Sequence, residues 1–356
     1  MGILDPSPHD NTRTAGFVRA FRHRWIAPPQ STTESFEGRN VIVTGASSGI
    51  GREAAAKFAA LGASKVILAA RDVKKGEAAK ADICARIGKQ DLLDVWELDL
   101  NSYESIIAFT SKANELDHLD VVILNAGVHR GEFETTRYGW EEDLQVNSLS
   151  STLLAVLLLP KLKASRRSST KIPVLEFVNS GAHQFAVVSK EAQRQASILE
   201  SYNKPEQFNA WRQYGATKLF QMYAMTLLAD QVSSGDAIIT SVCPGPVTTD
   251  IGRDYSSRYP TISAILVFIL GYLFFHTSTI GANSILSGTT QGEALHGRFW
   301  KYDNVMPVAP TLKGEDNKKL RLRVWKEMLQ ALEKDGVRLE DSLKAIPAAE
   351  AGPRKP

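Results

Sequence analysis

The chain has 356 residues, 43% hydrophobic and 23% charged, with a formal net charge of +3. That length allows about two domains, or one large α/β domain with extensions, and the apolar content excludes a largely disordered chain. So small a positive excess gives no case for nucleic-acid binding. Two distant cysteines, Cys84 and Cys243, exclude a disulfide framework and a zinc site, leave no metal expected, and favour a reducing compartment such as the cytoplasm.

Residues 1–16 are polar, contain Pro6 and Pro8, and do not read as a secretory signal. From residue 13 to 26, Phe17, Phe21 and Trp25 recur at every fourth position among Arg19, Arg22, His23 and Arg24. This pattern predicts a basic amphipathic helix, suited either to an anionic membrane surface or to docking on its own domain. Residues 27–35 read as a linker. Strands are then expected near 41–43, 65–70, 92–98, 121–124, 172–179 and 237–242. Helices are expected over 50–61, 73–87, 102–116, 137–160 and 211–231, with a polar segment at 184–210. Phe299 and Trp300 supply a possible last strand. Leu320, Val324, Met328 and Leu332 mark a further amphipathic helix, stopped by Gly336. The last eleven residues read as disordered. Strands this apolar, alternating with helices, predict an α/β fold whose doubly wound parallel sheet is covered on both faces. The 14-residue uncharged run from 262 to 275 is short of the roughly 20 residues a membrane-spanning helix needs.

The first strand ends in Thr-Gly-Ala-Ser-Ser-Gly-Ile-Gly at 44–51, and a helix follows. Gly45, Gly49 and Gly51 give a tight strand-to-helix turn, a backbone that can approach a pyrophosphate, and close helix–strand packing. The helix N-terminus offers free N–H groups to the phosphates. The second strand ends in Ala70-Arg71-Asp72. An acid that would bind a ribose 2′-hydroxyl is missing at Ala70, and Arg71 can grip a 2′-phosphate, which favours NADP over NAD; the alternative is a solvated arginine paired with Asp72. Tyr214 and Lys218 are one helical turn apart. An ammonium beside a phenol lowers its pKa, so the pair is a candidate acid–base couple.

With TGASSGIG at 44–51, Asp99-Leu100, Asn125-Ala126-Gly127, Asn147, Ser180, YGATK at 214–218 and PGPVTT at 244–249, the chain resembles the short-chain dehydrogenase/reductase family from about residue 37 to 303. The segment between Ser180 and Tyr214 looks most like the retinol-dehydrogenase-like branch, a look shared by many reductases of fungal secondary-metabolite pathways. The resemblance implies a single Rossmann-like domain over 37–303, with an N-terminal extension at 1–36 and a helical C-terminal extension at 304–356. It implies that Tyr214 exchanges a proton with the substrate oxygen, that Lys218 holds the nicotinamide ribose, that Ser180 stabilises the substrate oxygen and that Asn147 holds a proton-relaying water. It further implies that the turn from Gly45 to Gly51, with Ser47, Ser48 and Ile50, lines the cofactor together with Asp99, Leu100, Asn125 and Gly127, and that Val247 and Thr249 hold its carboxamide. His183 is expected in the pocket wall, since Tyr214 already supplies the acid.

The substrate walls are expected from 128–140, 181–210 and 250–275. The last contains the apolar run, which suits either a bulky lipophilic ketone, aldehyde or alcohol, or burial against the sheet or a second subunit. The function expected is an NADP-dependent carbonyl reductase or the reverse dehydrogenase. A non-catalytic NADP-binding sensor or scaffold, or an enzyme of the same fold catalysing elimination or epimerisation, are the alternatives. Peripheral membrane contact would let it draw substrate from lipid. The family often pairs into homodimers through its long helices, here 137–160 and 211–231, but the helix at 316–334 could block or replace that contact.

Overall fold

The computed structural model describes residues 21–89, 91–166, 171–248 and 274–339. Eight strands form one sheet: Asn40–Thr44 (β1), Lys65–Ala70 (β2), Leu93–Glu97 (β3), Val121–Leu124 (β4), Val174–Val178 (β5), Ile238–Cys243 (β6), Phe299–Lys301 (β7) and Asn304–Met306 (β8). Their order is β3-β2-β1-β4-β5-β6-β7-β8. Pairing is parallel from β3 through β7, with Val41 between Val66 and Val121. β8 returns antiparallel on β7.

The helices are Gly49–Ala60 (α1), Val73–Ile87 (α2), Tyr103–Asn114 (α3), Ser151–Ala164 (α4), Lys190–Arg194 (α5), Ile198–Ser201 (α6), Ala210–Gln231 (α7), Ser278–Thr289 (α8) and Glu315–Lys334 (α9). Successive strand residues point to opposite faces, so β1 feeds two cores. Val41 and Val43 pack with Phe58, Ile83 and Ile285 beneath α1, α2 and α8. Ile42 packs with Phe109, Leu153 and Phe220 beneath α3, α4 and α7. This is the expected doubly wound α/β architecture. Local signals set the helix ends: Asp72 accepts a hydrogen bond from the Lys75 N–H at 3.1 Å to cap α2, and Gly88, at φ 69°, closes it.

One expectation needs correction, and three features were not anticipated. The helix placed at 137–160 starts later, because residues 136–139 form a turn with Gly139 at φ 83°. The Glu141 carboxylate then accepts from the N–H groups of Asp143 and Leu144, and a π-helical stretch, Leu144–Ser150, leads into α4. The polar segment 184–210 is not plain loop: α5 and α6 bury Ala192, Ile198 and Leu199. α8 was not anticipated, since its sequence is mostly Ser, Gly, Ala and Thr and carries little amphipathic pattern. The β7–β8 hairpin turns on Tyr302 and Asp303, at φ 55° and 53°, without the Asn-Gly or Asp-Gly that marks such turns. One strand residue also breaks the apolar pattern. Glu176, in the middle of β5, is fully buried with neither carboxylate oxygen hydrogen-bonded, and burial pushes its pKa well up, towards the neutral acid.

Both extensions, where described, pack on the sheet domain. His23, in a helical turn at 21–25, stacks on Tyr302 at 4.0 Å. The Gln30 N–H donates to Asp303 at 2.9 Å and the Asn283 carboxamide to the Pro29 carbonyl at 2.9 Å. α9 buries Val324, Trp325, Met328 and Leu332, each worth roughly 1.5–3 kcal/mol as an upper bound. Arg321 ties it to α7 through Thr226 at 3.2 Å and Asp230 at 3.6 Å. Among the described residues no helix is long and apolar enough to cross a membrane. The apolar run lies outside them, apart from its last two residues.

Candidate active site

The carboxyl ends of β1, β2, β3 and β4 border an open cavity of about 730 Å³. Ten of the residues expected to hold a cofactor line it: Gly45, Ser47, Ser48, Gly49, Ile50, Arg71, Asp99, Leu100, Asn125 and Gly127. Gly51 sits behind this wall. A Cβ there would lie 2.5 Å from the Gly45 carbonyl oxygen and 2.5 Å from the Asn125 carboxamide nitrogen, so only glycine lets α1 approach β1 and β4 this closely. Gly45 itself has φ 65°. Thr44 locks the base of the turn: its hydroxyl accepts from the N–H groups of Asn125 and Ala126, both at 2.9 Å. The Asn125 side chain donates back to the Thr44 carbonyl at 2.8 Å.

This cradle fits a dinucleotide. Ser48 begins α1 without making a side-chain cap, and the first turn holds no acid, so its N–H groups suit an anion. In the lining of the same cavity, Arg71 is joined by Arg52 and Lys75. Asp72, the alternative partner of Arg71, uses its carboxylate to cap α2.

The catalytic candidates stand together at the ends of β5 and α7. The Asn209 side chain caps α7, accepting from the Arg212 N–H at 3.0 Å, which starts the helix just before Tyr214. Asn179 accepts from the Ser180 N–H at 2.6 Å and donates to the Lys218 carbonyl at 3.1 Å, so it fixes the Ser180 turn to α7. The neighbouring Ser180 side chain pulls the Tyr214 pKa down, but burial dominates and leaves it well above the usual tyrosine value. Lys218 is buried. Its ammonium donates to the Val178 carbonyl at 3.1 Å and to Gln221 at 3.3 Å, and burial pushes its pKa down to about 8. Asn147, in the π-helical stretch, uses its carboxamide on Val128: the Val128 N–H donates to Oδ1 at 2.9 Å, and Nδ2 donates to the Val128 carbonyl at 2.8 Å. π-helical turns often occur at functional sites.

His183 is a brace rather than a pocket wall. It is buried, and its Nδ1 lies 2.6 Å from the Ser180 carbonyl oxygen, to which it must donate. Burial lowers its pKa to about 4, so it is neutral at ordinary pH. Val247 pairs with His276 and packs on Gly281. Thr249 lies outside the described residues.

Several site residues escaped the sequence reading. Arg52 directly follows the last glycine of the turn, and Lys75 stands four residues after Arg71, in the first turn of α2; only those offsets could have signalled them. His129 and Arg130 line the cavity beyond Gly127. His129 stacks on Tyr214 with ring centres 4.5 Å apart. Asp143 is buried against this group. Its Oδ1 accepts from the Arg130 N–H at 2.9 Å, its Oδ2 has no hydrogen-bond partner, and burial with the nearby Glu141 raises its pKa to about 8.

A family model described as short chain dehydrogenase matches residues 39–174. The chain is 36% identical to the short-chain dehydrogenase/reductase phmF of Phaeosphaeria nodorum over 326 residues, 90% of this chain and 94% of that one. It is 35% identical to the short-chain dehydrogenase/reductase ffsI of Aspergillus flavipes over 319 residues, 89% of this chain and 92% of that one. Its fold is similar to a short chain dehydrogenase from Escherichia coli CFT073 solved in complex with NADPH, with TM-score 0.51 and 23% identity, covering 77% of this chain and 100% of that one. The chain belongs to the short-chain dehydrogenase/reductase family of oxidoreductases.

Proposed function

We propose that the chain is an NADP-dependent reductase of a bulky lipophilic ketone or aldehyde, able to run in reverse as an alcohol dehydrogenase. The observation that carries this reading is one cluster: the Tyr214 phenol, with the Ser180 hydroxyl and the buried Lys218 beside it. A proton donor, an oxygen-stabilising hydroxyl and a cation are the groups carbonyl reduction requires.

When bound, a nicotinamide cofactor supplies the hydride for the carbonyl carbon. The chain's own residues do the rest. Tyr214 gives its proton to the carbonyl oxygen as hydride reaches the carbon. Ser180 donates a hydrogen bond to the same oxygen. Lys218 and the turn from Gly45 to Gly51 would hold the cofactor, with Asp99, Leu100, Asn125 and Gly127 along its length and Val247 and Thr249 at the carboxamide. Arg71, with Arg52 and Lys75, would bind the 2′-phosphate. The NADPH complex of the E. coli relative supports this choice for that protein, and the basic cavity lining supports it here.

The substrate reading rests on the apolar side chains near the site. Phe133 meets Phe208 edge-on at 5.8 Å, Phe185 and Val187 are exposed on the neighbouring connection, and Trp211 is exposed in the first turn of α7. The resemblance to reductases of fungal secondary-metabolite pathways extends the proposal to that setting, in the cytoplasm or at a membrane surface.

The test is NADPH turnover with a panel of lipophilic ketones and aldehydes, wild type beside Tyr214→Phe, repeated with NADH. Turnover by wild type alone, with NADPH preferred, is expected. NADPH binding without reduction of any carbonyl would favour a sensor. Product formation without net NADPH consumption would favour elimination or epimerisation.

A further inference from the structure

The segment after β4 is held at two points by the π-helical stretch and the turn that leads into it. Val128 exchanges both of its backbone hydrogen bonds with the Asn147 carboxamide, at 2.9 and 2.8 Å. Arg130 donates its N–H to Asp143 at 2.9 Å. Asp143 and Asn147 are one helical turn apart and fully buried, so residues 128 and 130 cannot shift without breaking these part-buried hydrogen bonds.

His129 lies between these two anchors. Its ring stacks on Tyr214 with centroids 4.5 Å apart and planes 28° apart. It also meets Trp211 edge-on at 4.9 Å. Trp211 and Tyr214 are three residues apart in the first turns of α7, so both reach the same side. His129 is buried although it borders the cofactor cavity. A phenol on its own has a soft ring torsion, and misplacing a reacting group by an ångström can cost about a hundredfold in rate.

We infer that His129 is a positioning residue: held through the backbone of its neighbours by Asn147 and Asp143, its ring fixes the direction in which the Tyr214 phenol points. The inference rests on the acid role proposed above for Tyr214. What the stacking on Tyr214 asks of position 129 is a flat ring, which a phenyl group supplies and a methyl group does not.

The experiment compares His129→Ala, His129→Phe and Tyr214→Phe with wild type, using NADPH and phenanthrenequinone, a flat lipophilic dicarbonyl, as the probe. NADPH affinity and melting temperature are measured beside turnover. His129→Ala is expected to lose about tenfold or more in kcat with KM nearly unchanged, and His129→Phe to recover most of it. A wild-type kcat in His129→Ala overturns the inference. So does a His129→Phe variant as impaired as His129→Ala. If Tyr214→Phe turns over like wild type, the acid role fails and the inference falls with it; if only Tyr214→Phe is impaired, the acid role stands and the inference alone falls. A second readout needs no turnover. The ring protons of His129, identified in the aromatic NMR spectrum by their loss in His129→Phe, should carry a ring-current shift that survives Tyr214→Phe and shrinks in Tyr214→Ala. A shift indifferent to Tyr214→Ala would overturn the stacking itself.

Discussion

The Lys218 ammonium stands 5.9 Å from the centre of the Tyr214 ring and directs its hydrogen bonds elsewhere, to the Val178 carbonyl and the Gln221 carboxamide oxygen. In this geometry burial, more than mutual attraction, sets both groups, raising the phenol and lowering the amine to about 8. The ribose-holding role proposed for Lys218 is strongest in its charged form, which exists below that value. NADPH affinity is therefore expected to weaken as pH rises through about 8. In Lys218→Met it should be weaker at every pH and show no such break. Protein fluorescence quenching by NADPH across a pH series measures this; a wild-type titration flat from neutral to alkaline pH would contradict it.

Arg71 and Arg52 make a second prediction. Both line the cavity beside Lys75, and the Arg52 contacts to Glu53 and Asp82 are long, at 3.7 and 3.8 Å. A guanidinium freed from tight ion pairs is available to a phosphate. Arg71→Ala should weaken NADPH binding by roughly tenfold or more, the worth of a charge-assisted hydrogen bond, while leaving NADH binding nearly unchanged. Arg52→Ala should act in the same direction. Equal losses for both cofactors would assign these residues to the fold and not to the 2′-phosphate.

Asp143 carries a stability prediction with a definite sign. Its pKa rises from 3.8 to about 8 on folding, so between those values the folded state holds a proton that the unfolded state has lost. Stability from this group is fully present below about pH 4 and is lost as pH rises towards 8. Asp143→Asn keeps an acceptor for the Arg130 N–H and, like the protonated acid, carries no charge. The two proteins should be about equally stable near pH 4, and the variant more stable near pH 8, by an amount on the order of 1–3 kcal/mol. Urea unfolding at both pH values measures the difference. Parallel pH dependences would show that Asp143 ionises normally.

Much of this site was legible before any coordinates. The glycine turn, Tyr214 and Lys218 lie on local geometry, a strand-to-helix turn and one helical repeat, which spacing records directly. The strands through β4 were clear because each is a short apolar run bounded by a turn. His129 and Asp143 were not legible because their meaning comes from contacts across the fold, with Tyr214 and Arg130. Glu141 was hidden for a related reason: it caps its own helix and accepts a hydrogen bond from Gln213 at 2.5 Å, whereas in sequence it is one acid among three. The helix expected from residue 137 failed at Gly139, whose positive φ closes a turn that periodicity alone does not show.

The C-terminal helix bears on assembly. α7 is buried along nearly its whole length within one chain, from Gly215 to Ala229, and α9 lies against it through Arg321 and the apolar row from Val324 to Leu332. A helix that pairs with a second subunit needs an apolar face left bare by its own chain. The protein is therefore expected to sediment with the mass of one chain at micromolar concentration. A stable two-chain mass would mean that pairing uses another surface.

The N-terminal arm gives the last prediction. His23 faces inward onto Tyr302, while Phe21, Trp25 and Ile26 stay 43%, 44% and 61% exposed, and the Arg24 guanidinium lies 4.7 Å over the Trp25 ring. Docking on the domain thus accounts for one side of the arm and leaves an aromatic, basic side turned outward. That combination suits the headgroup region of an anionic bilayer. The full-length protein should float with anionic vesicles at low salt, float less with neutral ones, and come off as salt screens the arginines. Failure to float at low salt would sink the idea. The paired change Trp25→Glu and Ile26→Glu should abolish flotation. Because His23 holds the arm from the inside, the same variant should keep its melting temperature, so that lost flotation reports on the outward face alone.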